Sequence, residues 1–397
     1  MKVLILSAST GGGHMSAAHA LKSVIEKKDS SSHAQIVDCI EYVSHALNVV
    51  VSGGYKQLVT KTPALFGALY RSTNKQNSLN GIAEHIIAKF SKRLLPLLRD
   101  FKPDAIVSTH AFAGEMMAEL KKMYNLDIPL ISIITDFAPH MMYLHPNITK
   151  YVVSSEKMQD ELCNLGVDKD RIMVLGIPIK DEFYEETDKK AELESMGLNA
   201  DLPTLLIMAG SFGVTDILKL YAEINTSETD FQIIVITGKN QKLYNAFSIF
   251  LGQNTPDEMT DFKKSINELK LKYKLGSKMA KSPKKTVLIY YTNEVNKYMH
   301  ISDMIVTKPG GLTVSESLAS GLPLAIFKAF PGQEEDNSQF LISNNAAVKI
   351  DKNNCRQIVD GLLNDKDKLS EMKENCKRVS KYRSAESLYN ELCQILK

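Results

Sequence analysis

The chain has 397 residues, of which 44% are apolar and 24% are charged, and its formal net charge is +2. This length exceeds one ordinary hydrophobic core, so two domains are expected. The net charge alone points to no class of partner. The cysteines form no CxxC pair and have no histidine at ligand spacing, which argues against a disulfide framework or a zinc site and favours a reducing compartment. They are Cys39, Cys163, Cys355, Cys376 and Cys393.

The first apolar run, residues 3–9, is short and leads directly into glycines, not into a small-residue cleavage site. We therefore interpret it as a buried strand and not as a signal peptide. No stretch approaches the roughly 18 consecutive apolar residues that a membrane-spanning helix needs. The chain is therefore not expected to cross a membrane, although it can lie against one.

Positive charge is concentrated between residues 50 and 100, where only Glu84 and Asp100 oppose the basic side chains. Two interpretations stay open. A charge run is most often a solvated helical face, but it can also be a surface that meets anionic lipid headgroups. The basic residues are Lys56, Lys61, Arg71, Lys75, Lys89, Lys92, Arg93 and Arg99.

Two segments share one pattern of strand, glycine turn and helix. Residues 3–9 predict a strand, residues 11–13 are glycines, and residues 15–27 predict a helix; residues 204–209, 210–213 and 214–224 repeat this order. The pattern opens a doubly wound α/β domain. Further short runs rich in Val and Ile predict strands buried on both faces. They are residues 35–38, 105–108, 130–135, 150–153 and 172–174, and then 232–237, 286–290, 304–307, 324–327 and 347–349.

The expected fold class is α/β, with two Rossmann-like doubly wound domains in tandem. We place the first domain at residues 1–180, the second at 181–375, and a C-terminal helix at 376–397 that folds back onto the first domain. Residues 353–364 and 367–397 predict helices, and residues 79–98 predict an amphipathic one. Residues 255–285 are rich in lysine and have the pattern of an inserted helix and loop, to which we assign no function.

The glycine run before His14 lets the backbone approach an anionic or bulky ligand, with Gly12 and Gly13 at the start of the helix. It is neither a GxGxxG fingerprint with a following acidic residue nor a P-loop. A histidine at such a turn can act as a general base near pH 7. It can equally be a neighbour of the helix cap that only binds the backbone.

The strongest local pattern is T-K-P-G-G-L-T, residues 307–313, with Glu316 one turn into the following helix. The free amides and the dipole of a helix start favour a diphosphate. Lys308 adds a full positive charge, and the Glu316 carboxylate can accept hydrogen bonds from both hydroxyls of a ribose. We therefore favour a nucleotide site over a plain strand–helix turn.

Polar clusters follow other buried strands. Residues 331–337 form an acidic loop whose amides and carboxylates can bind sugar hydroxyls, at the end of the sheet where such folds bind ligands. In the first half, Asp136, His140 and His110 also follow strands, so they are expected to line a cleft between the domains. Asp136 is a second candidate general base, although a lone Asp more often caps the next helix.

Together these motifs resemble the family of monogalactosyldiacylglycerol synthases and processive diacylglycerol glucosyltransferases. They are more distantly similar to the N-acetylglucosaminyltransferase that makes the lipid-linked peptidoglycan precursor. The resemblance covers most of the chain and includes S-x-x-x-G-G-G-H, T-D-F, G-x-x-G, T-K-P-G-G-L-T-x-x-E, G-L-P and P-G-Q-E-x-x-N. The family often has a Trp after the T-D-F histidine, where this chain has Met141, Met142 and Tyr143.

The resemblance implies a GT-B fold, in which the C-terminal domain holds a UDP-sugar and the N-terminal domain holds a lipid acceptor. It implies that Glu316 binds the ribose, that Val295 reads the uracil and that His14 assists catalysis. The diphosphate cradle is then Gly310, Gly311, Leu312 and Thr313. The sugar contacts are Gln333, Glu334 and Asn337. The rest of the nucleotide site is Ser211, Phe212, Gly213, Gly238 and Lys239.

The implied activity is inverting transfer of glucose or galactose from a UDP-sugar to 1,2-diacylglycerol, with His14 or Asp136 taking the proton. No Asp-x-Asp motif stands where a metal would be needed, so neither a metal nor another cofactor is expected, and nucleic acid is not an expected partner. The enzyme is expected in the cytoplasm, on the inner face of the membrane. The alternatives are transfer of N-acetylglucosamine to a polyprenyl-diphosphate acceptor, epimerisation of a UDP-sugar, and a non-catalytic UDP-sugar-binding regulator.

Overall fold

The computed structural model describes residues 1–9, 12–43, 87–209, 213–253, 260–272 and 284–397. These residues form two six-stranded sheets, and every strand pairing in them is parallel. Parallel strands need crossovers that cover both faces of the sheet. Strands such as Ala105–Ser108 and Leu324–Phe327 are accordingly buried at every position. The predicted α/β class with two doubly wound domains is confirmed.

The first sheet has the order β2-β1-β3-β4-β5-β6. Its strands are β1 (Lys2–Ser7), β2 (His33–Asp38), β3 (Ala105–Ser108), β4 (Leu130–Ile133), β5 (Lys150–Val153) and β6 (Ile172–Val174). The order changes direction between β1 and β3. At such a switch point the segments that follow the two strands diverge and leave a crevice at the carboxyl ends. The segment after β1 carries His14, and the segment after β3 carries His110.

The second sheet has the order β12-β11-β10-β7-β8-β9. Its strands are β7 (Thr204–Met208), β8 (Gln232–Ile236), β9 (Thr286–Ile289), β10 (Met304–Thr307), β11 (Leu324–Phe327) and β12 (Ala347–Ile350). Here the order changes direction between β7 and β10. Helix Val214–Ile224 follows β7, and helix Gly311–Ala319 follows β10. The helices predicted to follow the glycine turns therefore begin at the switch points of the two sheets.

The helices cover both faces of each sheet. With the first sheet stand Gly12–Lys28, Cys39–Val43, Leu95–Phe101, Ala111–Tyr124 and Glu156–Asn164. With the second stand Lys189–Ser195, Val214–Ile224, Gln241–Phe250, Thr260–Lys272, Val295–His300, Gly311–Ala319, Gln333–Ser343, Cys355–Asn364 and Lys366–Val379. Ser384–Ile395 comes last. Among the described residues, no helix has both the length and the apolar character that crossing a membrane requires.

Two sequence expectations about helices are wrong. Residues 367–397 do not form one helix, because Ser380 is extended and Arg383 has a left-handed backbone with φ 47°. Residues 331–337 are not a loop throughout, since helix Gln333–Ser343 begins at the third of them. The acidic side chains there lie in the first helical turn, where the helix dipole favours negative charge.

The last helix packs against the first sheet. Leu388 and Leu392 are fully buried in one cluster with Val3 and Ile5. By contrast, helix Lys366–Val379 runs past residue 375, and Cys376 is buried in the core of the second sheet. The chain thus crosses from the second domain to the first within residues 380–383.

Candidate active site

His14 lies in the first turn of helix Gly12–Lys28, where the carboxyl ends of β1 and β3 diverge. Its Nδ1 atom is 2.7 Å from the carbonyl oxygen of Thr109. A carbonyl can only accept, so this contact places a proton on Nδ1 and leaves the lone pair of the neutral ring on Nε2. Burial lowers the pKa of His14 below its usual value, and the bond to Thr109 opposes that effect. The neutral, proton-accepting form is therefore favoured.

Two further groups fix the His14 ring. The Thr135 hydroxyl is 3.0 Å from His14 Nδ1 and 3.3 Å from the hydroxyl of the buried Tyr143. The His110 ring meets the His14 ring edge to face, with centroids 4.7 Å apart. His110 itself caps helix Ala111–Tyr124, because its Nδ1 accepts from the Phe112 amide. The imidazole thus has one orientation, set by residues that the sequence analysis did not connect with it.

The two glycine-started helices meet across the interface between the domains. A Cβ atom on Gly311 would come within 2.0 Å of the Thr135 carbonyl oxygen, so only glycine fits there. A Cβ atom on Gly13 would lie 3.5 Å from Leu312 Cβ, which is an ordinary contact. The T-D-F segment of the first domain therefore packs directly on the helix start of the second domain. Gly311 is predicted as part of the diphosphate cradle, and the packing against Thr135 is by itself enough to require glycine at this position.

A cavity of about 320 Å³ opens beside this interface, at the carboxyl ends of β7, β8 and β10. Six residues predicted for the UDP-sugar site line it: Gly238, Val295, Lys308, Gly310, Thr313 and Glu334. Met208, Ile236, Tyr291, Thr292 and Thr307 line it as well and were not predicted. The strand ends at 208, 236 and 307 are the signal that could have indicated three of them.

Three charged groups have perturbed pKa values: Lys308 and Glu334 line the cavity, whereas Glu316 lies one turn beyond Thr313 on the same helix and is not among the lining residues. Burial lowers the pKa of Lys308 to about 8, and its ammonium lies 3.7 Å from the centroid of the Phe330 ring. Burial raises the pKa of Glu316 to about 8, which the charge of Lys180 opposes. Burial also raises the pKa of Glu334, although its carboxylate accepts from the Phe330 amide at 2.8 Å. Such perturbed groups in a cleft are typical of functional sites.

Helix Gln333–Ser343 joins the two domains through its first turns. Asn337 is fully buried and donates to Asp136 Oδ1 and to the Pro309 carbonyl, each at 3.0 Å. Its Oδ1 accepts from the Phe137 amide at 2.8 Å. Gln333 donates to Asp136 Oδ2 at 3.0 Å. Gly332 makes this turn possible, because its φ of 101° is a conformation that favours glycine.

Asp136 does not have the helix-capping role that the sequence favoured for a lone Asp. His140 caps the next turn instead, since its Nδ1 accepts from the Met142 amide. Burial raises the pKa of Asp136 to about 7; the Asn337 hydrogen bond lowers it, while the nearby charges of Glu334 and Asp336 raise it further.

The remaining predicted residues are more dispersed. Gly12 is exposed, and Leu312 packs against the second core. Gly213 caps helix Val214–Ile224, and the Lys239 ammonium lies 4.9 Å from the centroid of the Tyr291 ring. Ser211 and Phe212 lie outside the described residues, as do the basic residues Lys56, Lys61, Arg71 and Lys75. In the part of the chain that the structure describes, no three His, Cys, Asp or Glu side chains are grouped to hold a metal ion.

Both halves match known families. Residues 14–179 match the family described as Monogalactosyldiacylglycerol (MGDG) synthase, and residues 264–388 match the Glycosyltransferase family 28 C-terminal domain. Processive diacylglycerol beta-glucosyltransferases from Bacillus licheniformis and Bacillus pumilus are each 28% identical over 99% of this chain and 94% of theirs. The enzyme of that name from Bacillus subtilis is 26% identical over 98% and 94%.

Solved structures share the architecture. MurG from Acinetobacter baumannii aligns with a TM-score of 0.60 at 13% identity, over 99% of both chains. Anabaena Alr3699/HepE in complex with UDP and glucose aligns with a TM-score of 0.54 at 11% identity, over 100% of this chain and 99% of that one. The UDP-GlcNAc 2-epimerase of Neisseria meningitidis aligns with a TM-score of 0.58 at 14% identity, over 100% of both chains. At these identities the likeness concerns the fold alone, which is the GT-B fold.

Proposed function

We propose that this chain, a UDP-sugar-dependent glycosyltransferase whose two halves match the MGDG synthase family and the family 28 C-terminal domain, carries out inverting transfer of glucose or galactose to 1,2-diacylglycerol. The names of its Bacillus relatives support diacylglycerol as the acceptor. The arrangement around His14 carries the chemical part of the proposal.

His14 is the general base in this proposal. Its Nδ1 proton is held by the Thr109 carbonyl, so Nε2 is the nitrogen that takes a proton. A neutral imidazole of lowered pKa is in its accepting form at neutral pH. The acceptor hydroxyl gives its proton to Nε2 as its oxygen bonds to the anomeric carbon. The bond from that carbon to the UDP oxygen breaks in the same step, which inverts the anomeric centre.

The leaving UDP is stabilised by the second domain. Helix Gly311–Ala319 begins at the cavity, where no side chain caps its first amides and where the positive end of its dipole lies. Lys308 is nearly buried there, and a positive charge in a poorly solvated site acts strongly on a developing phosphate charge. These groups supply the charge stabilisation that a metal ion would otherwise give, so we propose catalysis without a divalent cation.

The acceptor is proposed to enter from a membrane surface. Met142, beside the T-D-F segment, is 39% exposed and apolar. Lys89, Lys92, Arg93 and Arg99 lie on the segment that precedes β3. Basic residues beside apolar ones favour anionic lipid surfaces. We therefore propose a peripheral position on the inner face of the cytoplasmic membrane.

The test is UDP release from UDP-glucose, UDP-galactose and UDP-N-acetylglucosamine, with and without diacylglycerol vesicles, in a chelator. Vesicle-dependent release from UDP-glucose or UDP-galactose is the expected result and names the donor. Release only with a polyprenyl-diphosphate acceptor and UDP-N-acetylglucosamine would replace the acceptor assignment. Interconversion of a UDP-sugar without any acceptor would instead mean an epimerase, a class that shares this fold. UDP-sugar binding without release on either lipid would support a non-catalytic regulator.

A further inference from the structure

We propose that Asn337 and Asp136 form a tie between the domains that positions the reacting groups, so that Asn337 does not bind the sugar and Asp136 is not the base. The proposal rests on the glycosyltransferase function above. It reassigns two residues for which the sequence suggested other roles.

Asn337 has no amide proton left for a sugar. A side-chain amide offers two N–H donors, and both are used, on Asp136 Oδ1 and on the Pro309 carbonyl. Its oxygen accepts from the Phe137 amide. The side chain is fully buried, so a hydroxyl could reach it only after these bonds break. Asn337 thus links the T-D-F segment of the first domain to the T-K-P-G-G turn of the second.

Asp136 is held from the opposite domain at both oxygens. Oδ1 accepts from Asn337, and Oδ2 accepts from Gln333. Its own backbone carbonyl accepts from the Ser154 hydroxyl. Two amide donors aimed at one carboxylate fix its orientation. They also compete with any proton that it would have to take up as a base.

The surroundings exclude water from Asn337, the buried end of the tie. Phe137 follows Asp136, Phe340 lies one turn beyond Asn337, and their rings pack with centroids 4.6 Å apart. On the other side, Gly311 lies against the Thr135 backbone. Hydrogen bonds in such a dry setting are stronger than exposed ones and costly to leave half made.

Gln333 and Asn337 therefore have different roles on the same helix. Gln333 is half-buried and uses one amide proton on Asp136, so its second proton and its carbonyl can still meet a sugar hydroxyl. Asn337 lies one turn further on and closes the domains. A sugar that hydrogen-bonds to Gln333 therefore contacts the same helical turn whose Asn337 holds the first domain in place.

The experiment separates donor binding from turnover. In N337A we expect kcat to fall about 10- to 100-fold, because small misplacements of reacting groups have effects of this size. The Kd values for UDP and UDP-glucose should stay within about twofold of wild type, since no sugar contact is lost. In Q333A the Kd for UDP-glucose should rise, while the Kd for UDP stays unchanged. Q339A removes an exposed amide from the same helix and is the matched control.

The partnership is tested by a double-mutant cycle. If the two residues form one tie, D136A and N337A together should cost little more in kcat than either alone. Should N337A fail to fold, D136N tests the same bonds. Its side-chain NH2 group replaces one of the two acceptor oxygens and so cannot accept from Asn337 or Gln333. We expect D136N to lower kcat without removing a limb of the pH–rate profile.

Three outcomes would overturn the proposal. A Kd for UDP-glucose that rises in N337A as it does in Q333A would make Asn337 a sugar contact. Loss of the acidic limb in D136N would make Asp136 the base. Full turnover in N337A would also end it while leaving the glycosyltransferase assignment intact. That assignment fails separately, if the wild-type protein releases no UDP with any lipid.

Discussion

The two domains begin their binding sites with the same unit and use it for different chemistry. In the first domain, β1 leads into helix Gly12–Lys28, whose first turn carries an imidazole. In the second, β10 leads into helix Gly311–Ala319, which carries the carboxyl of Glu316 one turn in. The first helix start packs against Leu312 of the other domain, whereas the second opens on the 320 Å³ cavity.

The difference shows that a helix start does not by itself determine a function. The side chains and backbone groups packed around it do. His14 is fixed by the Thr109 carbonyl and the Thr135 hydroxyl, which suits a group that must accept a proton in one direction. Glu316 lies where burial opposes its negative charge, which suits a group that gains partners when a ligand arrives.

The largest effect is expected from His14. Replacing it by alanine removes the proposed base of the first unit, so kcat should fall about 10²- to 10⁴-fold. UDP binding, measured by calorimetry, should be unchanged because the second unit is intact. H110A, which removes the neighbouring ring, is the comparison. If H14A kept wild-type turnover, the assignment of the base to the first unit would be wrong.

The next effect comes from exchanging glycine for alanine in each helix start. In G311A the new methyl would collide with the Thr135 carbonyl, so the domains could not close as they do here. We expect kcat to fall about 100-fold, as for other displacements of reacting groups by about 1 Å. G13A and G310A should retain most activity, since their methyl groups meet ordinary contacts or open space. Equal losses in G311A and G310A would refute the packing argument.

Glu316 should control nucleotide affinity. In E316Q we expect UDP to bind about 10- to 100-fold more weakly, because hydrogen bonds to a charged group contribute roughly 1.5–3 kcal/mol. Since its pKa is raised to about 8, the free enzyme holds this proton at pH 7. Ribose hydroxyls favour the ionised form, so UDP binding should release a proton and should tighten as pH rises toward 8. Calorimetry in buffers of different ionisation enthalpy measures that release; its persistence in E316Q would exclude Glu316 as the source.

The acidic limb of the pH–rate profile tests the first unit. A base must be deprotonated, so kcat/KM should fall about tenfold per pH unit below the pKa of His14. Burial lowers that pKa, so the midpoint should lie below the ordinary histidine value of about 6.5. The residual activity of H14A should lack this limb. A midpoint near 7 that disappears in D136N would point to Asp136, whose pKa is about 7.

The smallest effect is expected from Thr135. T135V keeps the shape of the side chain but removes the hydroxyl near His14 Nδ1. The Thr109 carbonyl still fixes the tautomer, so we expect kcat to fall only about fivefold, the equivalent of one hydrogen bond of about 1 kcal/mol. A loss as large as that in H14A would mean that Thr135, and not Thr109, orients the ring.

Most of the architecture could be predicted from the sequence because buried parallel strands are short runs of Val and Ile. Ile172–Val174 and Met304–Thr307, for example, begin and end where these runs do. The ends of helices were harder to predict from the sequence. Helix Gln333–Ser343, for example, begins directly after Gly332, whose positive φ the sequence pattern does not reveal. The break at residue 383 depends on a left-handed arginine, which residue preferences do not indicate.

Of the site, the sequence indicated the residues but not their partners. Gly310, Thr313 and Lys308 follow a strand in a recognisable order and do line the cavity. The contacts of Asn337 to Asp136 and Phe137 cross 200 positions in the chain, and nothing local to either residue predicts them. The roles of Ser211 and Phe212 stay predictions, since they lie outside the described residues.

The last helix has a consequence for how the protein is made. Leu388 and Leu392 fill the core that Val3 and Ile5 begin, and Lys28 pairs with Glu386 across 358 positions. Domains usually fold in order as they leave the ribosome. Here the core that includes Val3 and Ile5 is completed only when helix Ser384–Ile395 has been synthesised, after the whole second domain. The first domain therefore has an uncovered apolar face while the second domain is being synthesised.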